Sequence, residues 1–546
     1  MSFRLGRKKW LVLVIVVAVA AVAAKLAILV KFGPPVTISK ETTYITEPLH
    51  PDGFPDYVGA LNQRFSEGVT PENNSSVLFW KAVGPGEIDK EKREQYFRML
   101  GIPPLPEKGD YFVTFDEHVK AHIDHQMDQA QPADNLSEEK IRQRYWKQLD
   151  SAMKRPWSKQ EFPVWAEWIA ANEKPLALLI EASKRPRRYD PLIGKDVISL
   201  ELWGPQCSRD VARALVARAM LRLNDGKPDE AWGDLMACHR LARLVAQGPT
   251  VIEALVAVTI EGIACNGDQA LLERGKLAPA RIAEMREELA KLPPMPVMAD
   301  KIDVAERFMC LDAITTMARK GPDAINKDDN ETPEEDDEPT GALASLEKSM
   351  RIASFDWDLM LRMQNEWYDR VVEACRKPTQ AERNKAIQQI DEDINEIKRT
   401  RNWKTMLLSF LTNSRQARSR LIGQIYLSLL LPSSSAVIAA EDRVTMRFEL
   451  IELAFALAAY HADHGAYPAK LDELVPKYVK AVPKDIFNND ADLQYTRKDN
   501  GYLLHSFGPN GKDDGGKGPD DRINNADWHG EDWDDLIVRI PSKPEG

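Results

Sequence analysis

Between Trp10 and Val30 the chain carries a single charge, Lys25, in twenty-one residues. At helical rise such a run spans about 30 Å, the thickness of a bilayer core. In hydrocarbon it has to be a helix, because every backbone group must be satisfied internally. Arg4, Arg7, Lys8 and Lys9 precede it, and a basic flank stays on the cytoplasmic side. The expected arrangement is a cytoplasmic tail over 1–9, a transmembrane helix over 10–31 and an exported remainder. That places a single-pass protein in a bacterial inner membrane with its body in the periplasm. Lys25 lies about one turn from the outer end, within snorkelling reach of the interface. Ala21-Val22-Ala23 offers a competing cleavage site for a signal peptide. The apolar run continues from Leu26 to Val30, longer than a signal core, which favours the anchor. Both readings export the body.

Beyond the span the chain reads as mainly α. Residues 32–55 are rich in proline and threonine without helical period and suit a tether. Residues 56–320 form the expected helical domain, punctuated by prolines, with strand-like alternation nearly absent before residue 490. Thr70-Pro71-Glu72 has the pattern of a helix cap, first-turn proline and acidic first turn. Arg209–Leu223 and the helix after Asp229 are separated by Asn224-Asp225-Gly226-Lys227-Pro228, which marks an antiparallel hairpin. Val251 to Leu272 is apolar almost all round, the pattern of a central buried helix. The formal charge of −11 excludes nucleic acid as the main partner, since phosphate binding needs a basic face. The five cysteines are spread among apolar neighbours without a CxxC pair and read as small core residues.

Residues 321–346 break this pattern. Eight of the eleven residues from Asp328 to Glu338 are acidic, so the segment reads as a solvated, disordered linker. Residues 347–440 return to helix. Ile387, Ile390, Ile394 and Ile397 recur at spacings of three and four, an apolar seam for a hairpin or coiled-coil contact. Leu421–Leu431 is too short to span a bilayer and is expected to dock into the body.

The last segment, 441–546, has its own order of signals. A helix Asp442–Asp463 ends at Gly465, followed by Tyr467-Pro468 and a short helix to Leu474. Two strands, Asp492–Thr496 and Gly501–Ser506, then lead into the loop Gly508-Pro509-Asn510-Gly511-Lys512-Asp513-Asp514. Three blocks, His461-Ala462-Asp463-His464-Gly465-Ala466-Tyr467-Pro468, Leu471-Asp472-Glu473-Leu474-Val475-Pro476 and Ser506-Phe507-Gly508-Pro509-Asn510-Gly511, resemble the C-terminal part of the major pseudopilin of type II secretion systems. The resemblance implies a small α+β module with a structural calcium ion in the terminal loop. By that resemblance Asn510 takes one ligand position and Asp520 or Asp521 a second. Calcium takes six to eight oxygen ligands, and Asp513 and Asp514 lie close enough to contribute. From Lys512 to Asp535 nine acidic residues face three basic ones, an imbalance that Ca2+ relieves. Met1–Val30 lacks the glutamate of a pseudopilin leader, which argues against polymerisation. The whole chain is similar to uncharacterised bacterial envelope proteins that attach this module to a helical body.

Catalytic motifs are absent from the sequence. His118, His122 and His125 lie on one helical face at spacings of four and three, either as a solvated face or, with a carboxylate, as a zinc site. His461 and His464 fit a helix C-terminus. The function expected is a membrane-anchored binding or scaffold protein with a partner in the cell envelope and a calcium-stabilised C-terminal module. The alternatives are a metal-dependent envelope hydrolase using the three histidines, or an accessory component of a type II secretion system.

Overall fold

The structure, a computed structural model, describes residues 35–129, 137–295, 297–321, 355–400, 415–431, 434–523 and 532–542. The expected transmembrane helix and the acidic run Asp328–Glu338 lie outside the described residues. Among the described residues no helix is long and apolar enough to cross a membrane.

The protein is mainly helical, with a small sheet region near the C-terminus. Short helices come first: α1 (Tyr57–Ser66), α2 (Ser75–Val83), α3 (Arg93–Met99), α4 (Phe115–Gln129), α5 (Glu138–Lys154), α6 (Pro163–Ala171) and α7 (Glu173–Ser183). Longer ones come next as α8 (Trp203–Asn224), α9 (Pro228–Val245), α10 (Val251–Arg274) and α11 (Pro279–Ala290). Helix α12 (Met298–Lys301) passes through a π-helical turn, Ile302–Glu306, into α13 (Arg307–Lys320). Then come α14 (Trp357–Cys375), α15 (Gln380–Thr400), α16 (Arg415–Leu430) and α17 (Ser434–His464). The C-terminal part adds β1 (Lys484–Asp485), β2 (Ala491–Asp492), β3 (Gln494–Lys498), β4 (Gly501–Ser506), α18 (Pro519–Ile523) and β5 (Leu536–Ile540).

The hairpin α8–α9 and the buried helix α10 stand where the sequence put them, and the three pack on one another. Thr250 and Glu253 close a capping box at the start of α10, which satisfies two N-terminal amides reciprocally. One cap differs from expectation. Thr70 to Asn73 form a turn, with Thr70 N donating to Asn73 Oδ1 at 2.8 Å, and α2 starts only at Ser75, capped by Asn74. The reason is long-range. Asn74 Oδ1 also accepts from Tyr189 N, while its Nδ2 donates to the Tyr189 carbonyl at 2.9 Å, which fixes Asn74 outside the helix.

Two hydrophobic cores are bridged by two helices. The first joins α2 to α11 with the middle of α17 and the C-terminal sheet; Tyr502, Leu504 and Val538 belong to it. The second gathers residues 36–61, α12 to α15 and the start of α17. Helix α10 enters the second core with Val251 and Ala254 and the first with Val256 to Leu271. Ile387, Ile390 and Ile394 are buried in the second core, as their spacing predicts, and α16 docks on α14 through Gln364 and the Gly423 carbonyl, 2.8 Å. The five cysteines are all buried thiols.

Residues 35–55, expected as a tether, lie against the second core. Asn365 Nδ2 donates to the Thr42 carbonyl (2.8 Å) and Tyr57 to that of Thr43 (2.8 Å). Arg307, 1% exposed, binds Asp303 and Asp369 at 2.7 Å each and stacks on Tyr44 at 4.3 Å.

Strands β3, β4 and β5 form an antiparallel sheet, with Lys498 opposite Gly501 and Tyr502 opposite Ile540. The sheet is held to α10 at its far edge. Gln269 donates to the Arg539 carbonyl (3.0 Å), and Ser542 N to Glu273 (2.9 Å).

Candidate metal site

Strand β4 delivers His505 and Ser506, and the next loop folds back onto the residues leading into β5. The anchor is Asp485, fully buried, which accepts from Ser506 Oγ at 2.7 Å and from Phe507 N at 3.0 Å. Asp535, 2% exposed, accepts from the backbone of Asp514 (3.2 Å) and Gly516 (2.8 Å). Gly508 sits at φ +69, and a Cβ there would lie 2.1 Å from the Asp534 carbonyl oxygen. Only glycine lets the two segments meet so closely.

Two constellations result. In the first, Asp534 Oδ2 accepts from Asn510 N (3.0 Å), and Asp514 Oδ2 accepts from Asp534 N (3.0 Å) and Asn510 Nδ2 (3.3 Å). Asp534 Oδ1 is buried with no hydrogen-bond partner among the described residues. In the second, His505 Nε2 lies 3.1 Å from Asp513 Oδ1 and 3.8 Å from Asp535 Oδ2. These three residues offer ligand atoms within 4.8 Å of one another. Burial raises both late carboxyls, Asp534 with help from Asp514 and Asp532, and Asp535 up to about 6. The loop therefore holds more ionisable carboxyl than its surroundings solvate, which is what a bound cation relieves.

Of the five residues expected as ligands, Asn510, Asp513 and Asp514 belong to these constellations. Asp520 and Asp521 do not join them. Asp520 meets Lys154 of α5 at 3.2 Å, and Asp521 meets Arg539 at 2.9 Å. Asp514 and Asp534 supply oxygen only and suit a hard cation, while Asn510 turns its Nδ2 to Asp514 and its Oδ1 to Lys512 N. The imidazole of His505 gives its set the character of a transition-metal site. Sequence reasoning missed Asp534, Asp535 and His505.

The histidine face also differs from expectation. Its convergent group is His118, His122 and Glu167, with His122 Nε2 3.4 Å from Glu167 Oε2. His125 is exposed and outside it, because seven residues of helix carry it about 10 Å from His118. His118 Nε2 is 3.0 Å from the Val164 carbonyl, which fixes the ring against α6, and burial lowers its pKa.

No family model, curated protein or solved structure matches this chain.

Proposed function

We propose that this chain is a membrane-anchored, extracytoplasmic scaffold or binding protein whose pseudopilin-like C-terminal module is stiffened by calcium. The anchor is the apolar run Trp10–Val30 behind its basic flank, with the body in the periplasm and its partner a protein of the cell envelope. One observation carries the calcium reading: Asp534 Oδ1, buried beside Asn510 and Asp514 and without a hydrogen-bond partner among the described residues. A buried carboxylate oxygen without a donor is costly, and a divalent cation held by Asp514 and Asp534, with the Asn510 amide turned to bring its oxygen in, removes that cost. The ion would close the loop between β4 and β5, and through β5 the sheet is tied to α10. Such a unit presents a stiff surface rather than a mobile lid.

The test is thermal unfolding of the full chain in detergent, with calcium or with chelator. Calcium at a hundred times its dissociation constant will stabilise the wild type by about 2.7 kcal/mol. Asp534→Asn will abolish that shift, and in chelator it will melt at or above wild type, because it removes a strained carboxylate. Asp520→Ala and Asp521→Ala will keep the calcium response. An unchanged wild-type melting temperature in calcium and in chelator removes the ion from this reading.

A further inference from the structure

We propose that the cleft between α11, α17 and the connector Pro476–Pro483 is a docking site for an extended peptide carrying a basic side chain between apolar ones. The cleft measures about 630 Å³, within the range of ligand sites, roughly 300–1,000 Å³. Its apolar walls are Leu289 and Ala290 from α11, Leu453 from α17, and Val479 and Val482 from the connector. Glu449 and Glu452, three residues apart and so on one helical face, are half-buried in it.

The two carboxylates of this cleft are not served alike: the charges of Arg286 and Arg243 act on Glu452, and neither reaches Glu449. Arg286, the one arginine in the lining, directs its guanidinium to the Tyr478 carbonyl. Lys477 is drawn to Asp463 at 2.6 Å. Among the described residues no cationic side chain pairs with Glu449, and burial, with Glu452 beside it, pushes Glu449 up to about 7. Beside these carboxylates, the backbone groups of Lys480, Ala481 and Val482 have no hydrogen-bond partner among the described residues. Unpaired main chain along one wall is what an extended peptide uses, with pockets for alternate side chains giving selectivity. A guanidinium placed beside Glu449 supplies the cation that this carboxylate lacks, and its apolar neighbours meet Leu453, Val479 and Val482. The proposal names the chemistry of a partner for the scaffold, and its test depends neither on calcium nor on the anchor.

The experiment uses the full chain in detergent and a fluorescein-labelled blocked pentapeptide, Ala-Val-Arg-Val-Ala, followed by anisotropy. Saturable binding is expected, at least tenfold weaker for the Glu449→Gln/Glu452→Gln variant and for a peptide with citrulline in place of arginine. Chelator leaves it unchanged. Both glutamines keep the side-chain shape, and an unchanged melting temperature shows that the variant is folded. Because Glu449 ionises fully as the guanidinium arrives, wild-type binding at pH 7 releases about half a proton and E449Q does not, read by calorimetry in two buffers. The other titratable groups lining the cleft are Glu452, Arg286, Lys477, Tyr478 and Lys480. No saturable binding, equal binding by the double variant, or equal proton release by E449Q overturns the proposal. Binding of n-butylguanidine as tight as the peptide overturns the peptide in favour of a small organic cation.

Discussion

Replacing His239 with leucine will lower the stability of the fold by about 3–5 kcal/mol, read as a fall in the urea unfolding midpoint. His239 stands on α9 between two carboxylates of α10, Nδ1 2.9 Å from Glu261 and Nε2 2.8 Å from Asp268. All three side chains are fully buried. With a carboxylate at each ring nitrogen, the bonding form is the imidazolium, since only then do both nitrogens donate. Arg243, one turn along α9, also pairs with Glu261. Burial alone would lower the His239 pKa, but the two carboxylates outweigh it and push the group up to about 9. A pKa raised above the ordinary 6.5 means the folded chain holds a proton that the unfolded chain releases. The resulting stabilisation, about 3 kcal/mol at most, is complete below pH 6.5 and lost as pH rises through about 9. Wild-type stability will therefore fall across that window, and H239L will be flat there. In H239L, Asp268 loses its ion-pair partner, keeping only the more distant charge of Arg243, and its Oδ1 already lacks a partner among the described residues. H239L/D268L will recover part of the loss, because nothing charged is then left unpaired. If H239L matches wild type at pH 6, the cluster is not an ion pair.

The helical framework was legible because its signals are local. Asn224 to Pro228 stop one helix and start the next within five residues, and the all-round apolar character of α10 required burial on several sides. The isoleucine seam was legible for the same reason. What failed depends on distant partners. The cap of α2 moved from Thr70 to Asn74 because Tyr189, 115 residues away, binds both ends of the Asn74 amide. Strand β5 went unread although Leu536 to Ile540 alternates buried and half-buried residues; its partner β4 lies some thirty residues back, across the long acidic loop.

The candidate site obeyed the same rule. The resemblance marks Asn510, and Asp513 and Asp514 follow it in the same glycine-rich turn, so all three were expected. Asp534 and Asp535 reach that turn only through the pairing of β4 with β5, and without β5 there was no reason to bring them near. Asp520 and Asp521 were expected from the resemblance, as a second ligand position. Lys154 and Arg539, which draw them away, come from α5 and β5. Carboxylates in an acidic loop are sorted by which of them find cations, and sequence spacing does not tell which. The His239 cluster had a fainter signal: Glu261 and Asp268, seven apart and so on one face, are the only charged residues of α10 between Ala254 and Leu272.

A second substitution will change stability in the opposite direction. Asp312→Asn will raise it at pH 8 by about 2–4 kcal/mol, with the upper figure set by the pKa displacement. Asp312 lies on α13, 9% exposed, and its Oδ2 accepts from Val197 N at 2.7 Å. Burial outweighs that one hydrogen bond, and Asp196 and Asp56 add their charges, so the carboxyl is pushed up to about 7. The folded chain therefore retains a proton that the unfolded chain loses near pH 4, and stability falls as pH rises from about 4 through 7. Asparagine keeps an oxygen for the Val197 amide and carries no charge. The difference between variant and wild type in urea will be near zero at pH 4 and complete by pH 8. A variant less stable than wild type at pH 8 means that Asp312 is ionised and held by something stronger than Val197. His239 and Asp312 share a direction, since each binds a proton more tightly in the fold than outside it. They act in adjoining windows, Asp312 from about 4 to 7 and His239 from 6.5 to about 9. D312N will therefore remove the Asp312 share of the acid-side decline, to which Glu449 and Asp535 also contribute, and leave the alkaline part, which H239L abolishes.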